Sequence, residues 1–165
     1  MSDKPTVSKN GKSRFKQGRF SPRNPHKYMG NPTNIIYRSA WELLFLRFCD
    51  SNPNIIKYSS EETIIPYISP VDFKQHRYFV DFFLYAKQAD GSIKKFLIEI
   101  KPYAQTQLPK PKKNIIAEKF KEQMNTYLVN QEKWKAARAY AESKDMTFCV
   151  LTERELFKQK KKGKK

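Results

Sequence analysis

From Arg38 to Asp50 the chain reads RSAWELLFLRFCD, with apolar residues returning every three or four positions. That spacing predicts an amphipathic helix. Ser39 followed three residues later by Glu42 matches a capping box at its start, and Pro53 lies just past its end. The next stretch, NIIKYSSEETIIPYISP, predicts two short strands around a polar turn at Ser59 to Glu62. RYFVDFFLYAKQ and IKKFLIEIK then predict a long hairpin around Ala89, Asp90, Gly91 and Ser92, where Asp-Gly supplies the positive φ values of a tight turn. Pro102 closes the second strand because it cannot donate a ladder hydrogen bond. QTQLPKPKK is a basic, proline-punctuated loop. Residues 113–143 show helical periodicity, read as two helices meeting near Val129 to Gln131. MTFCVLT has a continuous apolar centre, which predicts a strand buried on both faces, and ERELFK a last short helix. The order of elements predicts a mixed α/β domain with a central sheet and flanking helices.

Before this domain, residues 1–33 are polar and basic with prolines at 5, 22, 25 and 32, the pattern of an extended arm. Its aromatic residues Phe15, Phe20 and Tyr28 could stack on a partner but are expected rather to pack back on the domain. The reading divides the chain into an arm at 1–33, a domain at 34–157 and a lysine-rich tail at 158–165.

Charge changes the picture. The formal net charge is +17 in 165 residues. Single-sign charge at that density points to a polyanionic partner, held through salt-dependent attraction to phosphate backbones. A solubility tail or an anionic membrane surface would also carry such lysines. No apolar run approaches the roughly 18 residues of a membrane span, and the first residues hold no apolar secretory segment. Cys49 and Cys149 lie within apolar runs and read as small buried hydrophobes of a reducing compartment. With only His26 and His76 besides, a structural zinc site is not expected.

Candidate chemistry centres on four residues. Asp81 interrupts the apolar run YFVDFFLY, and an acid there is costly without a partner or a function. Glu99 and Lys101 sit two apart in IEIK, and Glu42 lies on the first helix. Carboxylates that hold Mg²⁺ against a phosphate, with a nearby cation, are what metal-assisted phosphodiester hydrolysis requires. Each residue also has a plainer reading. Glu42 could be only the capping glutamate, Asp81 could pair with Arg77 or Arg47, and Glu99 with Lys101 could be the wet face of an edge strand. Register discriminates, because facing residues of antiparallel strands share a side. A two-residue Asp90-Gly91 loop would send Glu99 away from Asp81. A three-residue Asp90–Ser92 loop would set Asp81 opposite Lys101 and Phe83 opposite Glu99, with all four on one face.

VD followed by EIK resembles the PD-(D/E)xK nuclease motif, with Val80 where proline is frequent. Over residues 35–157 the segments YRSAWELLF, HRYFVDFFL, LIEIKP, EKWKAARAYA and FCVLTERELF are similar to the endonuclease subunit of heteromeric bacterial transposases. They resemble more closely still the head completion nucleases of T-even-type tailed phages. The resemblance implies a restriction-endonuclease-like core and DNA phosphodiester hydrolysis with Mg²⁺, or Mn²⁺ in its place. It implies Asp81 and Glu99 as metal ligands, with the Ile100 carbonyl completing the shell. Lys101 would orient the attacking water or offset transition-state charge, and Glu42 would bind a second metal or a water. It further implies a role in the virion, and in the host cytoplasm during assembly. There the chain would act on DNA ends or the portal after packaging and before tail attachment, beside head, portal or neck proteins and no membrane. Lys110, Lys112 and Lys113 are the candidate DNA-backbone contacts. Gln105 and His76 could touch DNA, or be a solvated loop residue and a structural histidine. Two other readings stay open: a catalytically silent DNA-binding or structural neck protein on a nuclease fold, and a transposase-type end-cleaving enzyme.

Overall fold

The computed structural model describes residues 17–157. Phe15 and the lysines from Lys158 onward lie outside them. At the centre is a four-stranded sheet of β3 (Ile55–Ser60), β6 (Phe82–Lys87), β7 (Ile93–Ile100) and β8 (Thr147–Leu151), in the order β3-β6-β7-β8. The first two pairings are antiparallel and β7–β8 is parallel. The parallel pair needs a crossover. It consists of α2 (Tyr103–Thr106), a loop, and α3 (Ala117–Ser143), with α4 (Glu153–Leu156) following β8. The expected mixed α/β architecture with a central sheet is what forms.

Alternation along β7 sets up two cores. Ile98 and Ile100 join Phe82 and Leu84 of β6 against Phe45, Leu46 and Cys49 of α1 (Ala40–Ser51). Leu97 faces the other way, into a second cluster with Trp134, Ala137 and Ala141 of α3. The second cluster also takes in Ile65 and Tyr78, from the separate hairpin of β4 (Ile64–Ile68) and β5 (Gln75–Phe79). Trp134 is therefore core, and Tyr140 packs against the same cluster half-buried.

Several expectations change. Residues before 34 are not all an arm: β1 (Gly18–Phe20) pairs with β2 (Ile35–Tyr37), and Phe20 and Tyr28 are buried in the first core. Lys27 is buried too, and its ammonium donates to the carbonyls of Cys49, Asp50 and Asn52, closing the end of α1. The run RYFVDFFLYAKQ is two strands, β5 and β6, broken at Val80 and Asp81. Val80 N–H donates to Thr63 on the β4 side, and the Asp81 carbonyl accepts from Glu61 N–H. Residues 113–143 form one helix rather than two. Nothing between Val129 and Gln131 breaks a helix, and the buried stripe Asn130, Trp134, Ala137, Ala141 keeps helical spacing across the supposed joint. β8 is half-buried rather than buried on both faces, because it is the edge strand with β7 as its sole neighbour in the sheet.

The hairpin loop also moves by one residue. Gln88 N–H donates to the Ser92 carbonyl and Gly91 N–H to the Gln88 carbonyl, so the three-residue loop is Ala89–Gly91. Gly91, at φ +85°, fills the left-handed last position that such a loop reserves for glycine. Phe82 consequently faces Ile98, and Phe83 faces Leu97. Carried one step further, this register sets Asp81 level with Glu99, not with Lys101. The shift is two residues, so the side shared by Asp81, Glu99 and Lys101 is unchanged.

Candidate active site

Asp81 lies where the chain passes from the β4–β5 hairpin into the central sheet. Its backbone is committed outward to Glu61, and its side chain turns to β7, where Oδ2 accepts the Ile100 N–H at 2.7 Å. The N–H and C=O of one strand residue point to the same edge, so the Ile100 carbonyl also lies on the Asp81 side. Glu99 is 3% exposed and sits on the central strand β7. That rules out the wet face of an edge strand. One of its oxygens, Oε2, accepts the Tyr78 hydroxyl at 2.7 Å, and Oε1 pairs with Lys101 Nζ at 2.9 Å. Lys101 is held in place by its own N–H, which donates to the Leu151 carbonyl of β8. The result is a buried carboxylate braced by a phenol and an ammonium, level with a second carboxylate braced by a backbone amide.

This crowding shows in the protonation equilibria. Burial and then the adjacent Glu99 push the Asp81 carboxyl well above its ordinary value, with a smaller push from Glu42, against the opposing Ile100 N–H and Lys101. Lys101 is pulled down by burial, but its contact with Glu99 and the charges of Asp81 and Glu42 outweigh this and raise it. Tyr78 is driven up by burial and by Glu99, so it remains a neutral donor. A cation among these oxygens would relieve the repulsion between the carboxylates. The donor set is hard oxygen, which suits Mg²⁺ held by one or two carboxylates with waters completing the shell.

Glu42 is near enough for its charge to reach Asp81 and Lys101, yet its carboxylate is engaged elsewhere. It accepts from Arg38 N–H at 2.7 Å and from Ser39 Oγ at 3.0 Å, while Ser39 Oγ caps the Glu42 N–H. The Ser39 half of the expected capping box is formed, while the Glu42 carboxylate takes the N–H of Arg38 rather than that of Ser39. Among the described residues no three His, Cys, Asp or Glu side chains gather as a metal cluster, and the two carboxylates brought level here are those of Asp81 and Glu99. Neither arginine considered as a partner reaches Asp81: Arg77 lies over the Phe79 ring, and Arg47 is exposed on α1. His76 is exposed on β5 and pairs with Asp72 at 2.9 Å, away from this chemistry. Gln105 on α2 and Lys110, Lys112 and Lys113 in the following loop are exposed and make no contact with the carboxylates.

Two neighbours were not anticipated. Tyr78 gave no signal in the sequence, because its role depends on β5 crossing over Glu99. Lys133 looked like any polar position of an alanine-rich helix. It is half-buried on α3, 5.5 Å from the Tyr78 ring centre and 5.6 Å from that of Tyr67. Burial first, and then Lys101, hold it below the usual lysine range, while Glu99 and Asp81 pull the other way.

Comparison with known proteins bears on the same segments. The family described as TnsA-like endonuclease N terminal matches residues 52–153, a span that holds Asp81, Glu99 and Lys101 but not Glu42. The chain is also 42% identical over 139 residues to the head completion nuclease of Enterobacteria phage T4, covering 82% of this chain and 90% of that protein. No helix among the described residues is long and apolar enough to cross a membrane.

Proposed function

The chain belongs to the TnsA-like endonuclease family and is a homologue of a phage head completion nuclease, and from that premise we propose that it is a Mg²⁺-dependent DNA nuclease. The observation that carries the proposal is the braced pair of Asp81 and Glu99 with Lys101 at 2.9 Å from Glu99. Asp81, Glu99 and the Ile100 carbonyl would hold the metal on the face of β7 that also carries Lys101. When bound, the ion supplies charge neutralisation at the scissile phosphate and an acidified water. Lys101 completes the positioning: its ammonium orients the attacking water or offsets charge on the phosphoryl oxygens. Water oxygen attacks phosphorus and gives up a proton to solvent, the bond to the leaving oxygen breaks, and that oxygen takes up a proton from solvent. Tyr78 keeps Glu99 aimed at the metal position by donating to its second oxygen. Glu42, committed to its cap, tunes the charge of the site from the end of α1 and could reach a water there. Mn²⁺ is expected to substitute for Mg²⁺.

The restriction-endonuclease-like core implied by the family is consistent with the mixed sheet between α1 and α3. The T4 relative matches along most of its length, which supports a role in head completion. In this reading the chain acts on DNA after packaging and before tail attachment, beside head, portal or neck proteins, in the host cytoplasm and then the virion. The +17 charge supports DNA as substrate. Purified protein incubated with linear and with circular DNA, with Mg²⁺ or with chelator, tests the activity directly. Cutting is expected with Mg²⁺ alone, and to be lost in Lys101→Ala. Equal cutting by that variant would reject the site, and an inert wild type would favour a silent DNA-binding protein.

A further inference from the structure

Lys133 is an anomaly on its own helix. Among the described residues it forms no ion pair, although it is half-buried and the sheet beneath it carries two carboxylates. Glu99 is already shared between Lys101 and the Tyr78 hydroxyl, and Asp81 accepts the Ile100 amide. What Lys133 does touch are two aromatic faces, Tyr67 and Tyr78, which fix the ammonium without neutralising it. Glu99 and Asp81 lie within reach of its charge but neither forms an ion pair with it, so a partly desolvated ammonium beside Lys101 keeps room for a further anion. Asn130 and Trp134, three residues before Lys133 and one after, are buried, and Asn130 Nδ2 and Trp134 Nε1 have no hydrogen-bond partner.

We infer that Lys133 is a phosphate-binding residue, gripping the DNA backbone from the α3 side of the site while Lys101 acts from the sheet side. The inference rests on the nuclease reading, because that reading brings a phosphodiester chain to Glu99. It adds a contact that neither the PD-(D/E)xK pattern nor the position of Lys101 supplies. The aromatic pair serves as a rigid holder: Tyr78 orients Glu99 through its hydroxyl and Lys133 through its ring. One tyrosine thereby sets the spacing between the metal position and the second cation. A purely structural Lys133 would stabilise the packing of α3 on the β4–β5 hairpin and do nothing to DNA.

The test measures affinity for a short DNA duplex in Ca²⁺ over a series of salt concentrations, with cleavage followed separately in Mg²⁺. Wild type, Lys133→Met, Lys133→Arg and Lys101→Ala are compared at matched thermal stability. Lys133→Met should bind about tenfold more weakly, with a salt slope smaller by about 0.9 for one lost phosphate contact. Lys133→Arg should keep the wild-type slope. An unchanged slope in Lys133→Met, or an equal loss in Lys133→Arg, overturns the inference. If the wild type cuts and Lys101→Ala does not, that failure leaves the nuclease reading standing. A changed slope in a wild type background that does not cut would instead keep the phosphate contact and reject the activity.

Discussion

Asp81 is the residue where the physical argument is sharpest, because its carboxyl is stabilised by one amide and opposed by a buried neighbour. Its proton is held more tightly in the folded chain than in the unfolded one. The metal-free folded state therefore binds more protons, and stability falls as pH rises from the ordinary aspartate range, near about 4, through the raised value. Asp81→Asn keeps an acceptor for the Ile100 N–H and removes the titration. Thermal melts in chelator should show the variant more stable than wild type at neutral pH, with the difference fading towards pH 4. Mg²⁺ should raise the melting temperature of the wild type and leave the variant unmoved. A variant less stable than wild type at neutral pH would contradict the account. Glu99 and Lys101 were legible as a pair because alternation along a strand is a strict rule, while adding Asp81 depended on an odd-length hairpin loop. Their bracing was not legible: Tyr78 and Lys133 enter from segments whose approach depends on how a separate hairpin and a long helix settle on the sheet.

At the level of elements, local rules read well where one residue type dictates the geometry. The Ser39 cap and the Asp-Gly turn are of this kind, and so is the stop at Pro102. Elements whose limits depend on tertiary packing read less well. The break between β5 and β6 falls at Val80 and Asp81, with no glycine or proline to mark it, because there the chain leaves one sheet for another. The long helix runs unbroken through Val129 to Gln131, where its buried stripe begins at Asn130. Lys27 was read as part of a solvated arm, yet it is one of the tightest contacts of the first core. Three carbonyls at the end of α1 share its ammonium, and Asp50 beside them accepts from Arg23 and Asn24 N–H. Lys27→Met should leave those carbonyls without their donor and cost about 2–3 kcal/mol in denaturant unfolding. DNA cleavage by the folded fraction should be unchanged, since α1 meets the site from the opposite end at Glu42. A stability within about 0.5 kcal/mol of wild type, the range of ordinary surface substitutions, would show that the cap is not needed.

Over the whole molecule, charge and fold have separate roles. In the proposed reading, a long-range basic field brings DNA in and a small buried constellation acts on it. The field was evident from composition alone, while which lysines touch DNA was not, because exposed lysines carry no structural signature. If Lys110, Lys112 and Lys113 contact phosphates, replacing all three with alanine should reduce the slope of log affinity against log salt by about 2–3. Cleavage at saturating DNA should be retained. An unchanged slope would place the path of DNA elsewhere. Whether Asp81, Glu99 and Lys101 form a hydrolytic site is decided by the single-turnover rate of DNA cleavage in Mg²⁺ for wild type and Lys101→Ala. Lys101→Ala should cut at least about a hundredfold more slowly, with DNA affinity changed far less; equal rates in the two proteins would rule the site out.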